Sequence, residues 1–298
     1  MSQMTEKNRL WMAYTLYTIL LTLGLLYILF PSGDVKAYLE AKAEDSSIPV
    51  HISIGDVSPS LAFGLNLRAT ELSHQAAPDK VLLRADRLFV RPGLWSYLHG
   101  KIKVCFDGHL YEGSLEGCVQ FNEDNPDAPF STSVTLKDVL LGKFDNLADL
   151  IGRHVEGSLG GSFAYNGQIE SLMEGEGEAD LRLSNGQIEL QRPVLDLNAV
   201  DFDEVWVKLT LKKRRVDLTH MELKGANIYG TLTGTINMRR EFMDSGLNLK
   251  GTVDPSPSFL EGSEGASVTI KLLGQSLGDG PLSFRVRGTL KNPRFDLI

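Results

Sequence analysis

The chain offers little with which to do chemistry. Only two of its 298 residues are cysteine, Cys105 and Cys118, and no C-x-x-C is present, so cysteine alone leaves a metal short of ligands. The six histidines (His51, His74, His99, His109, His154, His220) are scattered, with no H-E-x-x-H or H-x-x-H pair. Gly113-Ser114 and Gly157-Ser158 lack the G-x-S-x-G spacing of a nucleophile elbow. No G-x-G-x-x-G or Walker pattern precedes a helix, so no phosphate cradle is expected. Asp201/Asp203 and Glu174/Glu176/Glu178 are acid sets at every-other-residue spacing, which is the wet face of a strand rather than a catalytic pair. An enzyme is therefore not expected, nor a metal or organic cofactor. Positive charge is also short: 30 Lys and Arg against 38 Asp and Glu give a formal charge of −8. That excludes a nucleic-acid binder and a polybasic membrane-surface patch.

What is present begins with Trp11–Phe30, twenty residues without a charge. As a helix the run covers about 30 Å, the thickness of a hydrocarbon core. Thr15, Thr18 and Thr22 do not spoil it, because their hydroxyls can bond back to helical carbonyls. Its last turns are bulky, whereas a cleaved signal has a shorter apolar run ending in small residues. An uncleaved span is the preferred reading over a signal peptide or a buried core helix. Trp11, Tyr14, Tyr17 and Tyr27 resemble interfacial anchors, with Leu20, Leu25 and Phe30 in the apolar run. Lys7 and Arg9 on the short tail, against Asp34 beyond the span, keep residues 1–10 cytoplasmic and place the remainder outside the cytoplasm.

After the Pro31-Ser32-Gly33 break, Asp34–Ala43 reads as a short amphipathic helix with Val35, Tyr38 and Leu39 on one side. Strand signals follow. Val50, Ile52 and Ile54 alternate with polar residues; Asp56–Phe63 is turn-rich; Leu65, Leu67 and Ala69 alternate again. Lys80–Arg91 reads as a strand, and Leu94–Leu98 as a helical turn or two. Lys101–Phe106 and Ser114–Phe121 form a hairpin. If its turn is centred on Tyr111-Glu112, Cys105 and Cys118 lie opposite each other on one face and can bridge in an oxidising compartment; a turn shifted by one residue cancels the pairing. Lys137–Ile151 is the best helix after the span. Residues 31–152 and 153–298 read as two parts, or as one continuous sheet.

From Val155 onwards the chain is nearly all short strands. Val205, Val207, Leu209 and Leu211 fall on one side and Trp206, Lys208 and Thr210 on the other; Leu247 and Leu249, and Phe284 and Val286, behave alike. Few amphipathic helices are available to cover the greasy side. It must pack on another sheet, close on itself, or face a partner or lipid. Lys212-Lys213-Arg214-Arg215 reads as a solvated hairpin turn, with contact to anionic headgroups or an acidic partner as the sharper alternative.

The order and spacing of these pieces resemble the type II secretion system protein N (GspN) family. The stretches that carry the likeness include FPSGDVKAYLE, HISIGDVSPSLAFGLNLRATEL, LLRADRLFVRPGLWSYLHGK, LADLIGRHVEGSLGGSF, GEGEADLRLSNGQIEL, ELKGANIYGTLTGTINM and GTLKNPRFDL. The same outline is similar to the wider AsmA-like group. The resemblance implies a mainly β fold: one transmembrane helix, then an extended, curled antiparallel sheet with a few short helices. It implies a bacterial inner-membrane protein with its bulk in the periplasm. Its role would be non-enzymatic, an accessory to other type II secretion components. The AsmA likeness implies instead a lipid-binding or lipid-transfer module that takes phospholipid on the apolar sheet face.

Overall fold

The computed structural model describes residues 6–44, 50–60, 63–75, 77–93, 96, 101–121, 129–144, 146–148, 152–194, 197–256 and 281–298. Helix α1 spans Glu6–Ile28 and α2 spans Ser32–Glu44. Within α1, Leu10–Ile28 is long and apolar enough to cross a membrane, and none of its residues is buried. Thr15, Thr18 and Thr22 donate to the carbonyls four residues back at 2.8–2.9 Å, so their hydroxyls are satisfied inside the helix.

The apolar helix stops two residues short of the expected end. Pro31 lacks an N–H and disfavours helical backbone at Phe30, so the last helical bond runs from Leu29 N–H to the Leu25 carbonyl. Phe30 then turns away from the span and packs on the sheet. Helix α2 starts at Ser32, earlier than expected, and its packed side is Val35 and Leu39; Tyr38 is 65% exposed and does not join them.

Among the described residues, fourteen strands form one sheet in the order β1-β2-β3 through to β14, each antiparallel to its sequence neighbours. They are β1 Val50–Ser60, β2 Gly64–His74, β3 Ala77–Pro92, β4 Ile102–Leu110, β5 Gly113–Phe121, β6 Phe130–Leu140 and β7 Val155–Gly167. Then come β8 Glu176–Val194, β9 Leu197–Lys212, β10 Arg215–Lys224, β11 Ile228–Asn237, β12 Gly246–Pro255, β13 Leu282–Thr289 and β14 Pro293–Leu297. The order is linear, and β1 and β14 are not paired with each other, so the sheet is open. It crosses the 152/153 division without a break, since β6 pairs with β7 from Phe130↔Gly167 onwards.

Three departures from the sequence expectations share one cause. Asp56–Ser60 is strand rather than turn: β1 continues to Ser60 and pairs with β2 down to Gly64. Lys137–Leu140 is strand rather than helix, pairing with β5 and β7, and a 3-10 turn over Leu141–Lys143 follows. Strand β8 runs nineteen residues, Glu176–Val194, where short strands are expected. At Ala69 (φ 46°), Asp138 (φ 54°) and Asn185 (φ 51°) the backbone takes a left-handed step, and the inward side chain changes from odd to even numbers or the reverse. Leu136, Val139 and Leu140 consequently carry helix-like spacing inside a strand. The Leu94–Leu98 helical turn lies outside the described residues except for Ser96.

Candidate functional site

Residues directly opposite in paired strands project from the same face of a sheet. The register can therefore be followed strand by strand. From β1 to β7 one line runs Pro59, Leu65, Val90, Phe106, Gly117, Val134, Phe163. From β8 to β14 it continues Ala179, Leu209, Leu218, Gly234, Leu249, Val286, Phe295. Each of the fourteen strands contributes one residue, and none is polar.

The next line on that face repeats the pattern. It runs Val57, Leu67, Leu88, Gly108, Leu115, Leu136, Gly161, Leu181 and Val207. Past a bulge in β10 it resumes with Met221, Leu232, Gly251, Phe284 and Leu297. Flanking lines hold Leu211, Val216, Ile236 and Leu247 on one side and Leu183, Val205, Leu223 and Val253 on the other. Thirteen strand spacings of ~4.8 Å carry this apolar face about 60 Å along the sheet. Glycines on it mark close backbone approach. At Gly161 (φ 132°) a Cβ would collide with the Asp180 carbonyl, so a larger residue cannot occupy that step.

The two ends of the face differ in cover. Over β1 and β2, Ile54, Val57 and Leu67 are buried, with Phe30, Val35 and Leu39 packed against them. Glu40 ties α2 down by accepting the Ile54 N–H at 2.8 Å. Over β9–β13, the apolar side chains packed on buried Leu218, Leu249 and Val286 are, among the described residues, neighbours in the same layer: Val207, Leu209, Met221, Leu232, Ile236, Leu247 and Phe284, all half-buried. Among the described residues, no helix or second sheet lies over them. The eight residues singled out from the alternation (Val205, Val207, Leu209, Leu211, Leu247, Leu249, Phe284, Val286) do share this face. Sequence reasoning missed its extension through β3–β8, because the bulges and glycines interrupt the alternation there.

The opposite face is charged. Trp206 Nε1 donates to Asp180 Oδ1 at 2.6 Å, and its ring lies 5.0 Å from the Arg182 guanidinium and 4.7 Å from Lys208 Nζ. The Trp206 hydrogen bond, followed by Lys208 and Arg182, holds the Asp180 carboxyl below its ordinary value. Tyr229 donates to Glu222 at 2.8 Å, which lowers Glu222 and raises Tyr229. These are ion-pair ladders on an exposed surface, and Asp180 and Lys208 line a shallow groove with Glu178, Thr210 and Thr219.

Cys105 and Cys118 also lie on that polar face. They are directly opposed in β4 and β5, with Cα atoms 4.0 Å apart, and form a disulfide. Tyr111 (φ 47°) and Glu112 (φ 63°) make the two-residue turn that sets this register. Lys213 (φ 47°) and Arg214 (φ 66°) make the equivalent turn between β9 and β10. Arg214 pairs with Glu174 at 2.5 Å and Arg215 with Asp217 at 2.8 Å, which leaves Lys212 and Lys213 exposed. Of the span residues, Trp11, Tyr14, Tyr17, Leu20, Leu25 and Tyr27 are exposed on α1, whereas Phe30 belongs to the sheet's packing.

His99 lies outside the described residues; among those described, no three His, Cys, Asp or Glu side chains gather in a metal-binding arrangement. Comparison with family models, with curated proteins and with solved structures gives no match for this chain.

Proposed function

We propose that this is a membrane-anchored, non-enzymatic protein that shelters the acyl chains of phospholipid on the apolar face of its sheet. The observation that carries the proposal is continuity: the face begins under Phe30, two residues past the apolar helix, and runs unbroken to β14. A contiguous apolar surface of this extent is rarely left to water. Each acyl methylene laid on it contributes about 0.8 kcal/mol. The charged opposite face supplies the solubility that the apolar one lacks.

The particular setting we propose is the bacterial inner membrane, with residues 1–10 cytoplasmic and the sheet on the periplasmic side. The Cys105–Cys118 bridge supports an oxidising compartment. The resemblance to the type II secretion protein N family adds a second reading, an accessory that offers the same face to an apolar segment of a secretion component. We favour lipid because the face starts at the membrane.

A photo-reactive amino acid at Leu209 or Leu232 of the full chain in native membranes tests this. Phospholipid cross-linked at both positions is the expected result. Cross-links to protein alone would replace lipid by the secretion partner. No cross-link of either kind would mean that the face is closed, and would end both readings.

A further inference from the structure

The sheet has a free edge whose sequence complements itself. At the two ends of β14 the Ile298 N–H bonds to the Ser283 carbonyl at 3.0 Å, and Asn292 and Thr289 exchange bonds at 3.1 and 3.3 Å. Antiparallel pairs alternate between bonded and non-bonded partners. The even-numbered residues therefore direct their backbone groups at β13, and Pro293, Phe295 and Leu297 direct theirs outward. Among the described residues no strand receives them, and Phe295 and Leu297 are 68% and 65% exposed.

An unpaired edge is a template for another strand, and proteins commonly guard it with proline and charge. Here both guards admit one partner. If a second β14 pairs antiparallel with its centre at Phe295, the two Phe295 residues exchange N–H···O bonds. Each Leu297 N–H then meets the other copy's Pro293 carbonyl, which is the only backbone group Pro293 can offer. Arg294 falls opposite the second copy's Asp296, and Asp296 opposite its Arg294, on the polar face. Shifting the centre to 294 or 296 sets Arg against Arg or Asp against Asp. Both side chains are exposed, so they are available to pair. The two-fold axis is normal to the sheet, so the apolar faces of the two copies lie on the same side and their rows of Phe295 and Leu297 meet.

We infer that β14 is a homodimerisation edge, and that its partner is the β14 of a second copy in the register centred on Phe295. The inference rests on backbone direction and charge order, independently of what occupies the apolar face.

The test uses the full chain in detergent, where no bilayer constrains the two anchors. Sedimentation at increasing concentration should show the 32.8 kDa chain associating to twice its mass. Asp296→Arg and Arg294→Asp should each weaken self-association by about tenfold or more. Mixing the two variants should restore it, because every facing pair is again unlike. In addition, Phe295→Cys should cross-link to itself on mild oxidation, while Lys250→Cys in β12 should not; the two native cysteines are already joined. A wild-type chain that stays monomeric throughout overturns the inference. So does a dimer that both charge variants leave intact, or one that mixing fails to rescue.

Discussion

The first hairpin and the strands β9–β13 carry the same alternation and meet different fates. Over β1 and β2 the apolar side chains are closed in by α2 and Phe30, and Val57 is 1% exposed. Over β9–β13 they lean on one another, and their tips meet nothing else described. In the first region α2 and Phe30 close the apolar face; in the second no covering element lies among the described residues, although Leu218, Leu249 and Val286 are about as little exposed as Leu67. The same residue type at the same strand position therefore does different work, and what decides is whether another element has length and position to reach it. Helix α2 has thirteen residues and follows the span directly, so it reaches only the first strand pair.

Replacing one side chain by a carboxylate in each region should separate the two most sharply. Val57→Asp buries an unpaired charge under α2 and should cost at least about 3 kcal/mol, enough to lose the folded hairpin in a thermal melt. Leu209→Asp places the charge where water can reach it. The melt should move far less, while lipid cross-linking at Leu232 should fall sharply. Equal, large losses of stability in both variants would show that the second region is also a closed core.

A middle-sized effect tests the polar side of the comparison. The Cys105–Cys118 bridge staples β4 to β5 on the face away from the apolar rows. Cys105→Ser with Cys118→Ser should lower stability by about 2–3 kcal/mol, the range for a loop of this length. Lipid cross-linking at Leu209 should be unchanged, because the staple sets no residue of the apolar face. Loss of cross-linking without unfolding would tie the two faces together.

Much of this was legible before any coordinates. Alternation in Val205–Leu211, Leu247–Leu249 and Phe284–Val286 placed those residues on one face, and a turn centred on Tyr111-Glu112 was one of two registers, the one that sets the cysteines opposite each other. The strands ending at Leu211 and starting at Val216 placed the basic run at a hairpin turn. What stayed hidden were the places where a strand steps through a left-handed residue. Across Asp138 the inward positions shift by one, so Leu136, Val139 and Leu140 imitate a helix; opposite Ala69 the inward positions of β1 shift between Ile54 and Val57, and the strand beyond read as turn. A period-2 reading has no means of seeing one extra residue that keeps the pairing but changes the face. Nor does it say which apolar rows are covered, because cover depends on where α2 lands. The length of the face, from β1 to β14, emerges only when register is followed across every pair.

The smallest expected effect concerns Asp180, on the wetted face between Trp206 and Lys208. Its carboxyl is held below its ordinary value chiefly by the Trp206 N–H. A lowered folded-state value means that the ionised form is favoured in the folded protein. The stability it contributes is therefore present above the unfolded value, near pH 4, and is lost as pH falls through the folded value. Asp180→Asn should flatten that acid limb by melting slightly lower than wild type near neutral pH, a small difference because the surrounding charges are exposed and screened. Measured as melting temperature against pH, the difference between wild type and variant should shrink steadily below about pH 4. If the two instead run parallel across the acid range, the Trp206 hydrogen bond does not hold the carboxylate in solution. The polar face would then owe its order to backbone pairing alone, while the apolar face keeps its lateral packing.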